Sequence, residues 1–329
     1  MATLADVARR SGVSVMTASR VLSGRGPASA SARDAVTQAA DELGYVPNAV
    51  ARGLRNSRTG TVALVISDIQ NSFYSAVAKA AEKGLGAHGL NLTIASSNED
   101  AQRERDILQA IQAMRADALL ITPTEHNGDH LQRLAQHGLP IVQLDRSVPG
   151  SDIRRVLLDN AGAAWRAVTH LTEHGHRRIA LVGGPERITT GAERASGARN
   201  AARQAGAELL VAEAASYLHE GTRPAVEEAI DWGPTALIAG NNIVLETCMD
   251  VLLERGIDVP TALSLVAFDD LPWLRWTPAP ITALRQPIAQ MTTAAVSMLF
   301  TDPDSDGVER RFPAELVERA SVRRITTAS

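Results

Sequence analysis

The chain has 329 residues, 45% of them apolar, with 33 basic and 37 acidic side chains and a single cysteine. That length is too great for one small domain and leads us to expect two or three units with substantial cores. No stretch approaches the roughly 18 uninterrupted apolar residues of a membrane helix, and Cys248 has no second cysteine with which to form an internal disulfide or a thiolate metal site.

The charge is unevenly spread. Residues 1–58 carry eight arginines against four acidic residues, a net +4, whereas the remainder carries −8. A basic N-terminal module ahead of an acidic body is the pattern expected when only the first part approaches a polyanion. The opening "MATLADVARR" lacks the apolar core of a secretion signal, so a cytoplasmic location is expected.

In "LADVARRSGVSVMTASRVL", Leu4, Val7 and Ala8 share one helical face, Gly12 breaks that helix, and Ser14 can cap a second one closed by Val21 and Leu22. "SARDAVTQAADELGY" reads as a third amphipathic helix with Gly44 as its stop. Three short helices with a glycine turn between the first two describe a helix-turn-helix unit. The helix starting near Val15 is then the recognition helix. Val15 and Met16 stand at its entry, where an apolar group can meet a thymine methyl, and Arg20 can fork onto guanine. Ser14, Thr17 and Ser19 offer hydroxyls to phosphates. At this level a plain helical hairpin with Val15 packed inside stays open.

"VPNAVARGLRNS" (46–57) follows, with Leu54 surrounded by small residues. A helix of about eight residues falls below the roughly 12–15 at which isolated helices become marginal, so this segment is expected to order only on a partner.

From residue 60, the apolar runs "TVALVIS" (61–67), "LNLTIAS" (90–96), "ADALLIT" (116–122) and "PIVQLD" (140–145) alternate with helical patterns. A second series follows at "RRIALVGG" (177–184), "TALIAGNN" (235–242) and "LSLVAFDD" (263–270). Runs apolar on both faces suit central parallel strands covered by helices. Two such series predict two similar α/β subdomains across a cleft, with ligands beyond the strand ends at "SDIQNS", "LDR", "GGPER", "GNN" and "FDD".

Enzyme readings fare poorly. "HNGDH" (126–130) has metal-like spacing but an Asn-Gly turn and no further convergent ligand, and "HGH" (174–176) ends a helix. "GGP" is no dinucleotide fingerprint, and "GLGAHG" has the glycine spacing at the wrong end of a helix. No cofactor, metal or catalytic residue is assigned.

Taken together, "TLADVARRSGVSVMTASRVLSG", "ELGYVPNAVARGLR", "GTVALVISDIQNSFY", "PIVQLDR", "LLDNAGAAWRAVTHLTEHGHRRIALVGGP", "VPTALSLVAFDDLPW" and "PAPITALRQP" resemble, in order, the motifs of the LacI/GalR family of bacterial transcription regulators. The resemblance implies an all-α headpiece (1–46), a hinge helix (47–58) and a periplasmic-binding-protein-like core (59–329) of two Rossmann-like subdomains, with crossovers near 159–162, 285–290 and 318–322. It further implies a repressor, with an activator or corepressor-dependent regulator as the alternative. Such a protein acts as a homodimer or tetramer on a near-palindromic duplex operator under a small-molecule effector, a sugar or related metabolite. A pure ligand-binding receptor is contradicted by the headpiece.

DNA contacts are implied at Ser14, Val15, Met16, Thr17, Ser19, Arg20, Arg25, Ala51, Leu54 and Arg55, with Leu54 as a minor-groove wedge. Effector contacts are implied at Phe73, Tyr74, Arg146, Arg194, Asn242, Asp270 and Trp273. Two positions depart from the family pattern: Asn242 stands where Asp is usual, and Ser72 where Pro is usual. With an NH2 donor in place of a second acceptor, Asn242 would suit an effector that itself carries an acceptor, such as a carboxylate or phosphate.

Overall fold

The computed structural model describes residues 2–24, 26–46, 59–301 and 307–325. The chain divides into two compact units, 1–59 and 60–329.

The first unit holds three helices, α1 (Leu4–Ser11), α2 (Val15–Ser23) and α3 (Ala30–Glu42). Each begins at a hydroxyl cap: Thr3, paired reciprocally with Asp6, then Ser14 and Ser29. Gly12 ends α1 in the left-handed conformation (φ 69°), which lets the chain reverse within three residues into α2. Val7, Ala8, Ala18, Val36, Ala39 and Ala40 form the small core, bordered by Leu4, Val13, Val21, Leu22 and Tyr45. This is the helix-turn-helix arrangement.

The second unit contains two six-stranded sheets. The first has the order β11-β5-β4-β3-β1-β2, with β1 Thr61–Ile66, β2 Asn91–Ser96, β3 Ala118–Ile121, β4 Ile141–Leu144, β5 Arg155–Leu158 and β11 Glu309–Phe312, all parallel. The second has the order β12-β10-β9-β8-β6-β7, with β6 Arg178–Gly183, β7 Glu208–Glu213, β8 Ala236–Ala239, β9 Ser264–Phe268, β10 Thr282–Arg285 and an antiparallel edge, β12 Glu315–Val317.

Alternate strand residues face opposite helical layers, as the two-residue period requires. Val62, Leu64 and Ile66 pack toward α4 (Ser72–Gly86) and α11 (Ile288–Phe300), whereas Ala63 and Val65 pack toward α5 (Ala101–Ala113) and α6 (Gly128–Gln136). In the second sheet, Ile179 and Leu181 pack with α7 (Asn160–Glu173) and α8 (Thr189–Ala205). Ala180 and Val182 face α9 (His219–Asp231) and α10 (Asn242–Glu254).

The chain passes between sheets after β5, after β10 and between β11 and β12. The third passage therefore lies at 313–314 and not in the expected 318–322. That later stretch is already tied to the second sheet: the Ser321 hydroxyl accepts from the Thr282 N–H (2.8 Å) and donates to the Leu265 carbonyl (2.6 Å). Among the described residues no helix is long and apolar enough to cross a membrane.

Candidate DNA-reading helix and effector cleft

In α2 the Ser14 hydroxyl accepts from the Thr17 N–H at 3.1 Å and pairs with the Thr17 hydroxyl at 2.9 Å. Ser14 thus builds the helix start itself. Ala18 and Val21 turn inward, and Val15 and Met16 stay 49% and 64% exposed. The packed-hairpin alternative for Val15 is excluded by that exposure. The Arg20 guanidinium, one turn on, reaches the Met16 sulfur at 3.3 Å, so Met16 and Arg20 form one outward face. Thr17 and Ser19 are half-buried beside it. Arg25, Ala51, Leu54 and Arg55, with the hinge stretch 47–58, lie outside the described residues.

Between the two sheets of the core, the strand ends build a cleft with two chambers. The inner one, about 20 Å³, is lined by Phe73, Tyr74, Arg146, Arg194 and Asn242 among the expected residues, together with Asn71, Asp145, Thr190, Tyr217, Asn241, Asp269 and Gln286. An outer chamber of about 430 Å³ shares Arg146 and extends past Glu99, Glu125, Arg187 and Thr189.

Asp145 and Asp269 follow β4 and β9 at equivalent places, and both adopt the left-handed backbone conformation (φ 70° and 71°), which non-glycine residues seldom hold without a constraint. That turn sends each carboxylate into the cleft. Tyr74 donates to Asp145 at 3.1 Å, and the Gln286 amide donates to Asp269 at 2.7 Å. Burial pushes both carboxyls up, against the opposing pull of Arg146 and Arg194 on Asp145 and of Arg194 on Asp269.

The arginines are held just as tightly. Arg194 donates to Asn160 at 2.8 Å and to the Gly240 carbonyl, with its guanidinium 4.3 Å from the Phe268 ring centroid. Arg146 donates to Glu99 at 2.8 Å and lies 5.2 Å from the Tyr217 ring centroid. Burial opposes its charge, but the carboxylates of Glu99 and Asp145 outweigh that cost and push its pKa up. Tyr217 reaches this position because residue 184 is glycine; a Cβ there would fall 2.0 Å from the tyrosine ring.

Two expected cleft residues are elsewhere. Asp270 binds Arg285 at 2.6 Å and Arg319 at 2.7 Å, and these guanidiniums, against the effect of burial, hold its carboxyl below the usual range. The turn at Asp269 explains the exchange: successive side chains point to opposite sides, so only the first Asp of "FDD" enters the cleft. Trp273, in a short 3-10 helix (Pro272–Arg275), is half-buried against the apolar layer of α9 and α10.

Comparison with known proteins agrees with this architecture. Residues 3–48 match the profile of bacterial regulatory proteins of the lacI family, and residues 168–322 that of a periplasmic binding protein-like domain. The transcriptional regulator GalS of Salmonella typhimurium (strain LT2) is 33% identical over 306 residues, covering 91% of this chain and 89% of the relative. GalR of Escherichia coli (strain K12) is 33% identical over 329 residues, covering 98% and 96%. The chain belongs to the lacI family of bacterial regulatory proteins. This lacI-family protein is a helix-turn-helix transcriptional regulator, in a family of DNA-binding regulators and not of enzymes. Its fold is also that of the Lac repressor dimer solved with operator and the anti-inducer ONPF, with a TM-score of 0.86 at 22% identity over 98% of this chain and 99% of that one.

Proposed function

We propose that this regulator is a repressor that binds a near-palindromic operator as a homodimer and is controlled by a hydroxyl-rich small molecule, a sugar or related metabolite, in the core cleft. One observation carries the effector reading. Among the described residues, Arg146 Nε, Thr190 Oγ1, Tyr217 Oη, Asn242 Oδ1 and Gln286 Oε1 are buried polar atoms without a hydrogen-bond partner, and all five residues line the inner chamber. Buried polar groups are nearly always satisfied, so five such atoms converging from both subdomains mark a place where a ligand completes the bonding.

With donors and acceptors mixed, the set matches hydroxyls, which serve as both. The Lac repressor relative, solved as a dimer on its operator with a small molecule bound, supports the same arrangement here. On this reading Val15, Met16 and Arg20 read base edges, Ser14, Thr17, Ser19 and Arg25 hold phosphates, and Ala51, Leu54 and Arg55 serve the minor-groove hinge. The domain limits 1–46, 47–58 and 59–329 and a cytoplasmic site of action belong to the same proposal.

The test is selection of a bound duplex from a random pool, followed by gel-shift release with a panel of neutral sugars and sugar acids. A two-fold-related site released by one compound is the expected result. An asymmetric site, or tighter binding on adding the compound, would reject dimeric readout or induction respectively.

A further inference from the structure

Positions 72 and 242 lie in different subdomains, yet they touch. Asn242, the first residue of α10 and 1% exposed, donates its amide to Asn71 Oδ1 at 3.0 Å and to Ser72 Oγ at 3.3 Å. Asn71 is itself the cap of α4, and the same Oδ1 accepts from the Phe73 N–H at 2.9 Å. With both lone pairs of that oxygen engaged, the Asn71 amide cannot flip without losing the cap. The bond therefore joins the starts of two helices across the cleft, with an acceptor fixed on one side and a donor required on the other.

We propose that Asn71, Ser72 and Asn242 form an inter-subdomain clasp that closes the inner chamber before any effector arrives. The chamber volume agrees: about 20 Å³ leaves room for little more than one water. The orphaned Asn242 Oδ1 agrees too, because the NH2 is spent on the clasp and only the oxygen is left inside. An Asp at 242 has no N–H to offer the Asn71 oxygen, and a Pro at 72 has no hydroxyl to meet residue 242.

The clasp is testable without any effector. Spin labels on cysteines introduced at Gln102, at the start of α5, and Glu220, at the start of α9, are both exposed and report the cleft width by pulsed dipolar spectroscopy. Cys248 is fully buried, and burial pushes its thiol up, so it remains unlabelled. In ligand-free full-length protein, Asn242→Asp places a carboxylate against the fixed Asn71 oxygen and is expected to lower the closed-to-open ratio about tenfold, populating a longer distance. Asn71→Asp keeps the cap and improves the acceptor, and is expected to retain the short distance. An Asn242→Asp distribution identical to wild type, or an Asn71→Asp protein that opens, would overturn the clasp. Either result leaves effector binding in the cleft standing.

Discussion

Removal of the Arg146 guanidinium by Arg146→Gln tests the electrostatics of the cleft. The arginine and its partner Glu99 are 7% and 11% exposed at the side chain and bonded at 2.8 Å. After the substitution Glu99 keeps, among the described residues, the Tyr217 N–H at 3.2 Å, and Asp145 loses the guanidinium 3.9 Å away. Removing one partner of a buried pair costs about 3–5 kcal/mol, because the other charge stays buried without compensation. Loss of the cation beside the Tyr217 ring adds about 0.5–1 kcal/mol. We therefore expect a destabilisation of about 3.5–6 kcal/mol for Arg146→Gln. The double variant Glu99→Gln/Arg146→Gln removes both charges and should cost about 1–2 kcal/mol, less than Arg146→Gln alone. Urea unfolding followed by tryptophan fluorescence is a suitable assay, because all four tryptophans (165, 232, 273 and 276) lie in the core and none in the headpiece. Single and double effects that add to within about 0.5 kcal/mol would refute the coupling between Arg146 and Glu99.

Other consequences concern the DNA-reading face and acid stability. Arg20→Ala is expected to cost about 1–3 kcal/mol at one base position and relax sequence preference there; equal losses on operator and random duplex in a gel shift would argue against base readout. Leu54→Ala is expected to weaken operator binding and reduce operator bending while effector affinity, measured by calorimetry, is unchanged; an unaltered bend angle by circular-permutation assay contradicts a wedge. His176 is fully buried between the Thr235 hydroxyl (3.0 Å) and the Arg323 carbonyl (3.1 Å), and burial lowers its pKa to about 4. The unfolded imidazole takes up its proton near pH 6.5, so this contribution is complete above that pH and is lost as the pH falls toward 4, by up to about 3 kcal/mol. His176→Gln should flatten the pH dependence of the core's urea midpoint across that window. The flattening is partial because the His170 pKa is also lowered, first by burial and then by His174. A slope unchanged by the substitution would assign the acid sensitivity elsewhere.

The strands apolar on both faces were legible because their burial comes from layers above and below, which a continuous run such as "TVALVIS" records directly. Five strands were not. β5, β10, β11 and β12 have only three or four residues, and β7 is an edge strand whose half-exposed residues mix apolar and acidic side chains. Such segments become strands because a neighbour offers a free edge, and that neighbour is distant in the chain, as Glu309–Phe312 is from Arg155–Leu158.

The sequence by itself determined the three short helices with the Gly12 turn and the Ser14 cap, the two strand series and the loops that border the cleft, since each depends on local spacing, turn residues or the apolar period; that Val15 and Met16 face outward took the structure. It also carried the family motifs that name Phe73, Tyr74, Arg146, Arg194 and Asn242. Only the tertiary structure decided which Asp of "FDD" enters the cleft, because a single left-handed residue reverses the order of facing, and which chain segment makes the third passage between sheets. It alone brought in Asp145, Tyr217 and Gln286, which meet only where separate strand ends converge. It alone joined Asn242 to Asn71 and Ser72, 171 and 170 residues away in the chain, in one contact whose donor and acceptor must match.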